Sequence, residues 1–216
     1  MTALALSDPT DIAWRLVVAY LLGAVPFGLI MCRVFRGVDL REIGSGNIGA
    51  TNAMRVLGKP LGAIAFLLDL GKGYVPAAFL ASGDPRWQVA CGAAAVCGHV
   101  WPIYLKFRGG KAVATGFGAT LAIDPWIAVC VGLAWLVTLF AFGFVSIASI
   151  VMGFAFPVSA WLLGQPPVVI VGMSALTLLI IVRHRSNMVR LLKGTESHMD
   201  LWWKYHKRPA QKETEQ

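Results

Sequence analysis

The sequence predicts an all-α, polytopic membrane protein with about seven transmembrane helices, its N-terminus outside and its C-terminus in the cytoplasm. Three observations predict it. Of the 216 residues, 57% are hydrophobic and only 14% charged, against about 45–50% and about 25% in soluble domains. Apolar runs of spanning length recur along the chain. Lysine and arginine gather in alternate loops. No linker-like stretch interrupts the pattern, so residues 1–216 read as one transmembrane domain with a polar cytoplasmic tail from about residue 183. The composition excludes a soluble domain, and no nucleic-acid partner is expected.

Each element follows from local sequence. Ile12 to Cys32 is the first run, long enough for the roughly 20 residues a helix needs to cross about 30 Å of hydrocarbon; Pro26 predicts a kink. Pro60 to Ala81 is the second, with a proline at its start. Asp69, Gly71, Lys72 and Gly73 interrupt its middle. Asp69 and Lys72, three apart on one face, read as an ion pair that braces neighbouring helices. Trp87 to Leu105 is the third run and carries His99, read as a packed helix-end histidine. Ala112 to Ile123 is apolar but short for a span, and Asp124-Pro125 ends it. Trp126 to Phe142, Phe144 to Leu163 and Val168 to Val182 complete the set. The four cysteines, at 32, 91, 97 and 130, read as small buried apolar residues. The Trp- and Lys-rich stretch after Met199 reads as an interfacial anchor.

Charge sets the orientation. Residues 33–59 hold five Lys and Arg, residues 106–111 three, and the tail eight; the other three of the 19 are Arg15, Lys72 and Arg86. The positive-inside rule puts those three loops in the cytoplasm. They are also the loops that hold the polar motifs.

The first motif, GSGNIGATNAMR (Gly44 to Arg55), offers Ser45, Asn47, Thr51, Asn52 and Arg55 on a glycine-rich backbone suited to wrapping an anion. The second, GGKAVAT, sets Gly109, Gly110 and Lys111 just before an apolar helix, with Thr115 one turn on. A helix N-terminus with free N–H groups suits phosphate. The Walker A spacing is absent. The third, HRSNMVRLLKGTE, places His184, Asn187, Arg190 and Glu196 where the last span emerges. His184 titrates near neutrality. Together these predict a cytoplasm-facing pocket for phosphorylated ligands, walled by apolar helices and able to admit an acyl chain. No metal site and no cofactor are expected.

The ordered motifs SGNIGATNAMR, GHVWPIYLKFRGGKAVAT and HRSNMVRLLKGTE resemble the bacterial integral-membrane acyl-phosphate:glycerol-3-phosphate acyltransferases, the PlsY family. The resemblance covers nearly the whole chain. It implies a multi-pass protein of the bacterial inner membrane, with its active site facing the cytoplasm. It implies that the sn-1 hydroxyl of glycerol 3-phosphate attacks a long-chain acyl phosphate, giving lysophosphatidic acid and inorganic phosphate, the first acylation of phospholipid biosynthesis. Further implied partners are membrane lipid and the soluble enzyme that makes acyl phosphate. By resemblance, Ser45, His184, Asn187 and Ser149, with Ser146 as second choice, match active-site positions. Arg55 and Lys111 would hold the glycerol phosphate group, and His184 and Asn187 would orient it. The GGKAVAT backbone would hold the acyl phosphate, whose own phosphate oxygen is preferred to His184 as the base. The competing class is a transporter of small organic anions. Intramembrane Asp69 and Lys72 favour it; the gathering of the polar motifs on one face opposes it.

Overall fold

The computed structural model describes residues 9–199, so the anchor expected after Met199 lies outside them. The described residues form ten α-helices and no strand: α1 (Pro9–Ala24), α2 (Phe27–Arg36), α3 (Ala50–Leu57), α4 (Lys59–Phe79), α5 (Pro85–Val100), α6 (Val113–Ile123), α7 (Pro125–Phe142), α8 (Val145–Leu162), α9 (Pro167–Arg183) and α10 (Arg185–Leu192), with a 3-10 turn at Ile103–Leu105. Five segments are long and apolar enough to span a membrane: Asp11–Arg36, Lys59–Phe79, Pro85–Leu105, Pro125–Phe142 and Val145–Leu162. The pair α9 and α10, bent by 51° between them, makes a sixth. Large apolar side chains such as Leu133, Val137 and Phe140 stand exposed on the outside of the bundle, as lipid contact requires.

Pro26 interrupts the helix between α1 and α2 within the one span Asp11–Arg36, as the expected kink, because proline supplies no N–H to continue the ladder. Several expectations change. The glycine-rich middle of α4 causes no break, and the helix runs unbroken for 21 residues. The short run after Lys111 becomes α6, with 11 residues. At 1.5 Å per residue it covers about 16 Å, roughly half the hydrocarbon thickness. Within the polar tail expected from about residue 183, α10 runs through Leu192. Cys32 and Cys91 are buried as expected, but Cys97 is half-buried and Cys130 is exposed on α7.

Small residues set how closely the helices pack. Between apolar helices in lipid, close backbone approach replaces the hydrophobic drive available in water. A Cβ on Gly73 would overlap the Thr115 carbonyl, and one on Gly118 the Leu70 carbonyl, so α4 and α6 meet backbone to backbone. Gly23 against Ala95 and Gly98 against Tyr20 do the same for α1 and α5. Asp69 and Lys72 form the expected ion pair at 2.8 Å, both side chains buried. Lys72 Nζ also donates to the Val25 carbonyl at 2.7 Å. That carbonyl sits at the break between α1 and α2, so the pair ties α4 to the kink that Pro26 creates.

At the opposite end from the polar motifs, Asp124 caps α7 by accepting from the Trp126 and Ile127 amides. Gln165 donates to its second oxygen at 2.6 Å. This joins the α6–α7 turn to the α8–α9 turn and fixes α6 in register with the rest of the bundle.

Candidate active site

The first motif is half loop and half helix. Residues 44–49 form a turn, and α3 begins at Ala50. Asn52, on α3, organises the turn. Its Oδ1 accepts from the Ser45 amide at 3.1 Å, and its Nδ2 donates to the carbonyls of Leu40, Ile43 and Asn47 at 3.1, 2.9 and 3.0 Å. Gly44 has φ +61°, and a Cβ there would strike Asn52 Oδ1; both reasons demand glycine. Asn47 Oδ1 accepts from the Gly49 amide. Ser45, Thr51 and Arg55 are exposed around this braced turn. Just upstream, Asp39 takes hydrogen bonds from Arg41 and Arg33, which hold its carboxyl far below the usual range.

The second motif is pinned from both sides. The Gly109 and Gly110 amides donate to the Val100 and His99 carbonyls at 3.1 and 3.0 Å. Arg183, the last residue of α9, donates through Nε to the Gly110 carbonyl at 3.0 Å and through its terminal nitrogen to the Gly109 carbonyl at 2.8 Å. A Cβ on Gly110 would overlap the His99 ring, so His99 is packed under the loop as the sequence suggests. Lys111 follows, then Ala112 at φ +62°, which turns the chain into α6. No side chain caps that helix. Its first-turn amides, from Val113 to Thr115, precede the first intrahelical bond from Gly116 to Ala112 and carry the helix's positive end.

The third motif meets the second here. Lys111 Nζ donates to Asn187 Oδ1. Asn187 Nδ2 donates to Glu196 Oε1 at 2.6 Å, and Arg190 Nε to Glu196 Oε2 at 2.7 Å. Beyond α10 the chain doubles back. Met199 donates its amide to the Gly143 carbonyl at 2.9 Å, and the His198 ring lies 3.9 Å from that of Phe144. This return carries Glu196 to the start of α8 and beside Ser146. His184, buried at the α9–α10 bend, points Nδ1 at the Ile180 carbonyl at 2.8 Å. A carbonyl only accepts, so Nδ1 carries the proton. Nε2 of the neutral ring then keeps a lone pair.

The cluster is cationic around one carboxylate. Burial pushes Lys111 down to about 8; Glu196 pulls it up, while Arg190, Arg183 and Arg55 press it lower. For Glu196, burial acts upward, but hydrogen bonds from Asn187 and Arg190 and the nearby Ser146 hydroxyl leave it below its ordinary value. Lys111, Arg190, Arg183 and Arg55 outnumber Glu196. An anion of one or two charges would complete the balance, and helix α6 already aims its positive end toward Lys111.

A family model for glycerol-3-phosphate acyltransferase matches residues 13–194. The chain belongs to the glycerol-3-phosphate acyltransferase family. It is 46% identical over 180 residues to the glycerol-3-phosphate acyltransferase of Dinoroseobacter shibae, covering 82% of this chain and 88% of that one. With that of Acholeplasma laidlawii it shares 40% identity, covering 84% and 90%. The crystal structure of PlsY, an integral membrane glycerol 3-phosphate acyltransferase, in its glycerol 3-phosphate form superposes with a TM-score of 0.85 at 37% identity. The match covers 91% of this chain and 99% of that one. The lysophosphatidic acid form of PlsY gives a TM-score of 0.81. The protein is thus an acyltransferase and a multi-pass membrane protein.

In this acyltransferase the structure gathers Lys111, His184, Asn187 and Glu196, with Ser146 beside Glu196 and the charge of Arg55 felt at Lys111. Five of the predicted site residues are placed differently. Asn52 is buried with its amide committed to the turn, so it shapes the first motif instead of offering a ligand contact. The amides of Gly109 and Gly110 are spent on α5 and so are not open to an anion. Thr115 is fully buried, its backbone against Gly73 of α4. Ser149, preferred over Ser146, donates its hydroxyl to the Val145 carbonyl at 2.8 Å and accepts from Trp135 at 3.4 Å. Ser146, one helical turn earlier, is the serine at the cluster. Arg183 and Arg190 were visible in the sequence but carried no assigned role. Arginine beside a histidine at the end of a span reads first as a topology signal, and only the fold brings Arg183 to the glycine carbonyls.

Proposed function

We propose that this acyltransferase moves the acyl group of a long-chain acyl phosphate to the sn-1 hydroxyl of glycerol 3-phosphate at the cytoplasmic end of the bundle, releasing lysophosphatidic acid and inorganic phosphate. The observation that carries the proposal is the meeting of Lys111, Asn187 and His184 at the uncapped start of α6. Lys111 and Arg55 hold the phosphate of glycerol 3-phosphate. Asn187, polarised between Lys111 and Glu196, and His184 Nε2 accept and orient its hydroxyls. The first-turn amides of α6 receive the acyl phosphate, and Ser45 borders the entry from the braced turn of the first motif. The exposed apolar faces of the helices leave the acyl chain in lipid.

The acyl phosphate brings its own activation, so the protein's contribution is positioning and charge stabilisation. The sn-1 oxygen forms its bond to the acyl carbon, and the bond from that carbon to the phosphate oxygen breaks. The hydroxyl proton passes to a phosphate oxygen of the departing group. No serine nucleophile enters: Ser149 bonds to its own helix, and Ser146 stands beside a carboxylate without a histidine between them. The excess of Lys and Arg in the loops that carry the three motifs supports a cytoplasmic face in a bacterial inner membrane. A soluble enzyme that forms acyl phosphate would then supply the donor at that face.

The test uses purified protein with labelled glycerol 3-phosphate and, separately, palmitoyl phosphate, palmitoyl-CoA and palmitoyl carrier protein. Lysophosphatidic acid from palmitoyl phosphate alone is the expected result. Product from either thioester and none from the phosphate refutes the donor. No product from any donor, with glycerol 3-phosphate taken up into vesicles, refutes the reaction in favour of transport.

A further inference from the structure

We infer that Arg183 is a positioning residue for the glycerol 3-phosphate site, setting the register of the Gly109-Gly110-Lys111 loop; the inference rests on the reading that Lys111 holds the substrate phosphate. Arg183 ends α9, and its planar guanidinium spans two consecutive carbonyls, Gly110 through Nε at 3.0 Å and Gly109 through a terminal nitrogen at 2.8 Å. The same two glycines are tied to α5 through their own amides. The loop is therefore held between α5 and α9, and Lys111 leaves it in one direction. His184, the next residue, and Asn187 sit on the backbone that immediately follows. One arginine thus joins the loop that presents the cation to the helix end that presents the hydroxyl-orienting groups.

The pairing is specific to arginine. Two donors in a rigid fork match two carbonyls one residue apart; a lysine ammonium on a flexible stem can satisfy one of them. Glycine at both positions leaves the carbonyls approachable. Gly110 has a second constraint, since a Cβ would meet the His99 ring. Arg183 touches no reacting atom, so its effect passes through Lys111 and α6.

The experiment compares wild-type, Arg183→Lys and Lys111→Ala proteins in the same lipid. It measures kcat and KM for each substrate, and amide hydrogen exchange over residues 106–116 and 184–192. For Arg183→Lys the expectation is a KM for glycerol 3-phosphate raised roughly tenfold, as one charge-assisted hydrogen bond would give. KM for acyl phosphate and kcat should stay within about threefold, and exchange at Gly109 and Gly110 should speed while α10 keeps its protection. Unchanged KM for glycerol 3-phosphate overturns the inference. So does an equal loss for both substrates with faster exchange across the whole bundle, which would make Arg183 merely structural. Lys111→Ala reports on the underlying reading separately. If it leaves KM for glycerol 3-phosphate unchanged, the phosphate assignment fails whatever Arg183→Lys shows.

Discussion

Lys111 makes the pH dependence of this acyltransferase a test of its substrate site. Burial is the largest influence on the side chain, and with three arginines nearby it brings the ammonium from 10.5 down to about 8 despite the opposing Glu196 carboxylate. That displacement corresponds to about 3 kcal/mol of disfavoured charge. The free enzyme should therefore lose the cation proposed to hold the substrate phosphate as pH rises through about 8, and at pH 9 only about a tenth of it remains. Glycerol 3-phosphate completes its second ionisation near pH 6, so the ligand itself does not change over this window. The expected profile of kcat/KM for glycerol 3-phosphate is flat from about pH 7 to 8 and falls about tenfold per unit above it. The limb in kcat should lie higher, because a bound dianion returns the stabilisation that burial removed. Lys111→Arg keeps the cation to above pH 12 and should abolish the alkaline limb even if its absolute rate is lower. The assay is labelled lysophosphatidic acid formation at saturating palmitoyl phosphate. A wild-type profile flat to pH 9.5 would refute the reasoning, as would an unchanged limb in Lys111→Arg. Linkage gives a further sign. A folded-state lysine below its unfolded value binds fewer protons than the unfolded chain between about 8 and 10.5, so Lys111 weakens folding below that window and the penalty lifts as pH rises through it.

Three further outcomes follow from the packing. Ser149→Ala should keep kcat/KM within about threefold, since the hydroxyl serves its own helix, whereas Ser146→Ala should lower it roughly tenfold by removing a polar neighbour of Glu196; equal effects would contradict the placement. Lys72→Met should lower the unfolding temperature in detergent by stranding Asp69, a loss of about 3–5 kcal/mol; the double variant with Asp69→Asn should recover most of it, and additive losses would contradict a shared pair. Asn52→Leu removes one hydrogen bond from the Ser45 amide and three to backbone carbonyls; activity should fall by about a hundredfold while limited proteolysis opens the 41–49 turn, and an intact turn would refute Asn52 as its brace.

Much of the fold was legible because the bilayer simplifies the code. Spanning helices need long apolar runs, and α4, α7 and α8 appear within a few residues of their predicted limits. Pro26 and Asp124 also acted locally, breaking one helix and capping another. The Asp69–Lys72 pair was legible for the same reason, since three-residue spacing puts both side chains on one face. The extent of α6 was not: its 11 residues stop short because Asp124-Pro125 ends them. What seats so short a helix is glycine contact with α4, which involves residues distant in sequence.

By itself the sequence determined the class, the long apolar helices and the residue types of the site: a lysine after two glycines, a histidine and asparagine three apart, and a glutamate nine beyond the asparagine. Tertiary structure decided which of these come together and which serve the frame. It closed the Gly109 and Gly110 amides onto α5, committed Asn52 to its own turn, and brought Ser146 in place of Ser149 to Glu196. The physical reason is that a polar side chain declares its donors and acceptors in the sequence but not their partners. Within a low-dielectric bundle each such group must find a partner, and only the folded path of the chain determines whether that partner is backbone, side chain or substrate.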